Sequence, residues 1–128
     1  MTNRDEYKEN LNYDGRMLKM DYASPLESYF EKAGIPYPFV YTNTDNMKTY
    51  VGTWEILNDR LYLVGLLGTL LNGEKASLST FFPGYPSRVF AHWHSENIGL
   101  SGESGKTELF ITLEKGIVTE IRELTKND

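Results

Sequence analysis

The chain has 128 residues, 40% of them hydrophobic and 13% aromatic, which suits one domain with a single core. Thirteen Lys and Arg against eighteen Asp and Glu leave a net charge of −5 with no basic cluster, so nucleic-acid binding is not expected. The lack of cysteine excludes a disulfide scaffold, a thiolate metal site and a cysteine nucleophile, and fits a reducing, cytoplasmic setting.

The first thirty residues carry no apolar h-region, and no apolar run reaches the roughly twenty residues that span a bilayer, so neither secretion nor a membrane partner is expected. Tyr7 to Tyr22 centres on Asp14-Gly15, a pair suited to a type I′ turn, and predicts a short polar hairpin. Ser24-Pro25-Leu26-Glu27 is a helix start, with Ser24 as N-cap, Pro25 at the first helical position and Glu27 closing a capping box. The helix should run to Lys32 or Ala33, bury Leu26, Tyr29, Phe30 and Ala33 on one face, and stop at Gly34. Two prolines make Ile35 to Val40 an extended arm lying across the body, because they remove the amide donors a central strand needs. Thr42 to Lys48 reads as a loop.

From Thr49 onward the pattern is almost entirely β. Thr49 to Leu57 and Arg60 to Leu67 flank Asn58-Asp59, residues that tolerate left-handed backbone, and form the strongest hairpin signal in the chain. Further strands are predicted at Ala76 to Phe82, Arg88 to Ser95, Thr107 to Glu114 and Ile117 to Leu124, the last two joined by Lys115-Gly116. Parity places Tyr50, Gly52, Trp54 and Ile56 on one face, and Leu109, Ile111 and Leu113 on one face of their own strand. The expected fold is α+β and mainly antiparallel β: a bent sheet or partly open barrel with one short N-terminal helix. Residues 1–48 supply hairpin, helix and arm, 49–124 the β body and 125–128 a polar tail.

Candidate chemistry is sparse. His92 and His94 stand two apart in a predicted strand, so both imidazoles would project from one face and could share a metal ion, with a carboxylate such as Glu55, Glu96 or Glu103 as third ligand. Gly102-Glu103-Ser104-Gly105-Lys106-Thr107 fails as a phosphate-binding loop, because Leu100 stands where the first glycine belongs and a strand follows instead of a helix. Glu55 and Asp59 lie across a turn with no nucleophile or oxyanion donors beside them, so no catalytic residue is assigned and no cofactor is expected.

Between Leu61 and Ser95 the formal charges are Glu74, Lys75 and Arg88, a neutral aromatic stretch of the kind found in strand interiors and binding faces. Pro83-Gly84 fits a type II turn presenting Phe82 and Tyr85. The residues read as a ligand or partner surface are therefore Tyr37, Phe39, Trp54, Tyr62, Phe82, Tyr85 and Trp93.

Gly52-Thr53-Trp54 resembles the Gly-x-Trp element of lipocalin and fatty-acid-binding barrels, a resemblance that implies an arginine near the chain end, here Arg122, packed on the tryptophan. Gly52-x-Trp54-Glu55-Ile56, Asp59-x-Leu61-Tyr62-Leu63, Val89-Phe90-Ala91-x-Trp93-x-Ser95 and Leu109-Phe110-Ile111-x-Leu113-Glu114-Lys115-Gly116 together resemble a set of small uncharacterised bacterial proteins over Thr49 to Val118, with Glu96 where that pattern has glycine. That likeness implies a fold and no activity. The favoured role is non-enzymatic recognition of a protein partner, in type similar to immunity proteins of bacterial toxin systems. The competing role is a small-ligand or metal-binding barrel, and an aromatic edge strand could equally serve a homodimer.

Overall fold

The computed structural model describes residues 9–21, 25–40, 50–85, 87–102 and 106–123. The elements run β1 (Asn10–Tyr13), β2 (Arg16–Asp21), α1 (Pro25–Ala33), β3 (Tyr50–Leu57), β4 (Arg60–Gly68), α2 (Leu78–Phe81), β5 (Val89–Phe90), β6 (Asn97–Ser101), β7 (Thr107–Glu114) and β8 (Ile117–Glu123). The three turn pairs picked out in the sequence each close a two-residue hairpin, β1–β2, β3–β4 and β7–β8. Asp14-Gly15, Asn58-Asp59 and Lys115-Gly116 all have φ between 50° and 81°, the type I′ backbone whose twist matches the flanking strands.

Seven strands close into a barrel in the order β3-β1-β2-β6-β7-β8-β4, with β4 returning to β3 and β5 added beside β4. The expected bent or partly open sheet is thus a closed barrel. Pairing is antiparallel throughout except β1 with β3, which is parallel. Closure between β4 and β8 is narrow. It consists of the Arg60–Ile117 pair, with Leu61 N–H donating to Gly116 O at 2.9 Å and Val118 N–H to Asp59 O at 2.7 Å.

Alternation sends one side of each strand inward, and the barrel is filled by Leu11, Leu18, Met20, Trp54, Leu61, Leu63, Ile98, Leu100, Leu109, Ile111 and Leu113, all at most 3% exposed. Helix α1 covers one end with Pro25, Leu26 and Phe30 buried. Its C-terminus is a Schellman motif: Ile35 N–H donates to Phe30 O, Gly34 N–H donates to Glu31 O, and Gly34 sits at φ 72°. The expected N-cap Ser24 lies outside the described residues, as does the loop Thr42 to Lys48; Glu27 accepts from Tyr50 Oη at 2.9 Å. The proline arm crosses the body as expected, bridging Phe39 to Leu70 and stacking the Phe39 ring on Tyr50 at 4.7 Å.

Two predicted strands are corrected. Ala76 to Phe82 is not a strand: Ser77 N–H donates to Thr80 Oγ1 at 3.0 Å and starts the one-turn helix α2, a local side-chain bond that outcompetes extension. Arg88 to Ser95 is a strand only at Val89 and Phe90. Beyond them His92 N–H donates to Phe90 O and His94 N–H to Ala91 O, and this turn buries Trp93 and His94 together, which strand alternation would forbid. Conversely, Asn97–Ser101 is a strand although it lies outside the strands predicted from sequence. Its Gly99 admits the neighbouring strands' side chains, since a Cβ there would stand 3.4 Å from both the Phe110 ring and Thr107 Cγ2.

Candidate functional site

Four of the seven aromatic residues read as a surface belong to the core. Trp54 and Phe39 are fully buried, and Phe82 and Trp93 stack on each other at 5.7 Å and 7° between planes. Trp93 Nε1 donates to Pro25 O at 2.7 Å, so this pair fastens α1 to the barrel end and presents nothing outward. Tyr37 is half-buried, edge-on to Phe39, and lines a shallow groove of about 190 Å³ with Glu27, Phe30, Glu31 and Ile35. That volume lies below the roughly 300 Å³ at which small-molecule sites begin. Tyr85 stands exposed on the type II turn, where Gly84 has φ 95° and Tyr85 N–H donates to Phe82 O.

Trp54 donates its indole N–H to Glu9 Oε1 at 2.9 Å, both groups being buried. Gly52 makes this possible, because a Cβ there would stand 2.6 Å from the Glu9 oxygen. The Gly-x-Trp element therefore houses a buried carboxylate. Arg122, placed on the tryptophan by the lipocalin likeness, lies instead outside the barrel with its guanidinium 5.4 Å from the Phe110 ring.

The two histidines do not share a strand face. His92 is exposed, with its ring 6.3 Å from Phe90 and edge-on to Trp93, whereas His94 is 1% exposed. His94 Nε2 has no hydrogen-bond partner and lies 3.7 Å from Glu96 Oε2. Burial holds its imidazole below the ordinary value of 6.5, Glu96 opposes that and Lys32 adds to it. Among the described residues no group of three or more His, Asp or Glu is placed to hold a metal ion. The phosphate-loop comparison falls on Glu103, Ser104 and Gly105, which lie outside the described residues; Gly102 donates its N–H to Glu108 Oε2 at 3.1 Å.

What the structure does bring together lies outside the barrel. Cross-strand register sets Met17 opposite Asn12, Asn12 opposite Glu55, Glu55 opposite Tyr62 and Tyr62 opposite Phe90, a single outward row across five strands. The Tyr62 and Phe90 rings are 5.8 Å apart, and the exposed Arg88 holds its guanidinium 5.1 Å from the Tyr62 ring. The next row of the same face carries Leu57, Arg60 and Ile117, with the two aliphatic side chains 37% and 42% exposed. Beyond the Thr53/Trp54 bulge the face continues to Leu67, which is 74% exposed.

Such a face offers apolar area beside a guanidinium held over an aromatic ring. Of the candidate site residues singled out by sequence, Glu55, Tyr62 and His92 belong to it. Phe90, Arg88, Leu57, Arg60 and Ile117 were missed, although the type I′ turn at Asn58-Asp59 already sets Glu55 opposite Tyr62 and Leu57 opposite Arg60. Compared with known proteins, the chain matches no family model, no curated protein and no solved structure. No helix among the described residues is long and apolar enough to cross a membrane.

Proposed function

We infer that the protein is a non-enzymatic recognition module that binds a protein partner through the outward strip of β3, β4 and β5. One observation carries this reading: Tyr62 and Phe90 sit side by side outside the barrel under Arg88, while the interior is occupied by the protein's own side chains. Tyr and Arg are the residue types that concentrate binding energy at protein interfaces, and a guanidinium already stacked on a ring loses less freedom when a partner docks. Leu57, Ile117 and Leu67 extend the strip with apolar area. An immunity-type inhibitor of a bacterial toxin is the specific form of this reading that we carry forward, in keeping with the chain's acidic and cysteine-free character.

The test begins with affinity capture on the intact chain in its own host, followed by binding measurements on the purified partner. Tyr62→Ala and Arg88→Ala should each weaken binding at least about tenfold, with thermal stability nearly unchanged because both side chains lie outside the core. Unchanged affinity in both variants would discard this face as the binding surface. For the immunity form, co-expression should protect cells from the captured toxin, and the same two variants should lose protection.

A further inference from the structure

A barrel strand ordinarily has a neighbour on each side and one buried face, and β8 departs from both. It pairs along its length with β7, but β4 meets it only at Ile117, because β4 begins at Arg60 and β8 continues past the Asn58-Asp59 turn. Thr119 to Glu123 are all exposed, including Ile121, which shares the inward face with Ile111 opposite it. No described strand pairs with the far edge of this stretch.

The direction of its main-chain groups follows from the hairpin. A two-residue turn makes Glu114 and Ile117 a mutually hydrogen-bonded pair, so Val118 points the other way, as its bond to Asp59 O shows. The extra residue at the Thr112/Leu113 irregularity then leaves Glu120 and Arg122 bonded toward β7 and directs the N–H and C=O of Ile121 and Glu123 to the open edge. An open edge of this kind is a template for another strand.

The geometry points to a second copy of this chain as the occupant, pairing β8 with β8 antiparallel about a two-fold axis at Ile121. In that register Ile121 exchanges both main-chain hydrogen bonds with Ile121 of the second copy, and the two exposed side chains cover each other. Glu120 falls opposite Arg122 of the second copy, and Arg122 opposite its Glu120, in the non-hydrogen-bonded pairs where side chains approach most closely. Centring the axis on Glu120, Arg122 or Glu123 instead sets a charge against its own kind. Edge charges commonly deter pairing, but these favour one self-register and oppose its neighbours. The net charge of −5 on each copy is felt weakly, since at about 0.15 M salt the screening length is roughly 8 Å while the paired charges are in contact. This dimer leaves Tyr62, Phe90 and Arg88 uninvolved, so it stands or falls apart from the recognition reading.

The test is sedimentation equilibrium of the full chain over a concentration series up to about 500 µM, a range that covers the weak association expected of one short strand pair. A reversible dimer is expected. Arg122→Glu and Glu120→Arg should each weaken it roughly tenfold or more, and the double swap E120R/R122E, which restores opposite charges across the axis, should recover it. Independently of any variant, amide exchange at Ile121 and Glu123 should slow as concentration rises, because those N–H groups face the edge. A monomer throughout the range, a dimer indifferent to both reversals, a swap that fails to rescue, or exchange at Ile121 unaffected by concentration would each overturn the proposal.

Discussion

Trp54 and Glu9 meet inside the barrel, indole N–H to carboxylate oxygen at 2.9 Å, over a glycine that no other residue could replace without displacing one of them. A bond from a neutral donor to a buried carboxylate is worth more than an average hydrogen bond, about 1.5–3 kcal/mol. Trp54→Phe removes that donor and leaves a void where the second ring was, so unfolding in urea should show a loss of about 3 kcal/mol. Gly52→Ala should cost about 1–3 kcal/mol by forcing the carboxylate away from the indole, and Glu9→Gln, which keeps an acceptor, should cost less than either.

Gly15 and Gly116 occupy equivalent positions in two type I′ turns, at φ 81° and 80°, yet their surroundings differ. A Cβ on Gly15 meets nothing within 4 Å, whereas one on Gly116 would stand 2.6 Å from Ala91 O, a main-chain atom that cannot swing aside. Gly15→Ala should therefore cost only the backbone term, about 1 kcal/mol. Gly116→Ala should cost at least about 2 kcal/mol more, because the turn is wedged against the β5 end where the barrel closes. Paired thermal melts read the difference directly, and equal losses would mean that the β7–β8 turn is not seated on Ala91.

The same turns explain how much of the fold was legible in the sequence. Asp14-Gly15, Asn58-Asp59 and Lys115-Gly116 are local signals, and once they are placed the registers of six strands follow, together with the inward sets around Trp54 and Ile111. Helix α1 was equally legible because Pro25 and Gly34 punctuate it. The segments misread are those decided by tertiary partners. Arg88 to Ser95 has strand composition, but its carbonyls at Trp93 and His94 are taken by Lys32 Nζ and Gly116 N–H, neither of which sequence spacing brings near. Strand Asn97–Ser101 carries little strand signal because its glycine and polar residues suit a place in the sheet beside Phe110 and Asp21 that only the neighbouring strands define. The outward strip was half legible: Tyr62 stood out as an aromatic, but its pairing with Phe90 depends on β5 docking beside β4, a contact between distant segments.

Phe39 is the anchor of the proline arm, and Gly68 is what receives it. A Cβ on Gly68 would lie 2.9 Å from two ring carbons of Phe39 and 3.0 Å from Tyr50 Cβ. Gly68→Ala should lift the arm from the barrel, so that limited proteolysis cuts between Pro36 and Val40 faster than in the parent chain. Phe39→Ala should free the same segment and cost about 3–5 kcal/mol, the usual range for emptying a buried ring site. Resistance to cleavage in both variants would show that the main-chain bonds from Val40 to Thr69 and from Leu71 to Pro38 hold the arm without the ring.

His94 gives the chain a pH response whose sign is set by burial. Its folded-state imidazole titrates below the unfolded value of 6.5, because charging it would bury a cation beside Lys32, and Glu96 only partly offsets this. Above 6.5 both states are neutral at this site and stability does not depend on it. As pH falls below 6.5 the unfolded chain takes up the proton first, and stability declines until the folded-state value is passed, at up to about 1.4 kcal/mol per pH unit for one proton. Carboxylates titrating at lower pH add their own terms, so the diagnostic is a difference between variants. His94→Leu removes an imidazole whose Nε2 has no partner. It should leave stability at pH 7.5 within about 1 kcal/mol of the parent, since no satisfied bond at that atom is lost. Between pH 6.5 and 5 the variant should lose less stability than the parent in urea titrations. Parallel curves for the two chains over that interval would mean that the folded protein protonates His94 as readily as the unfolded one.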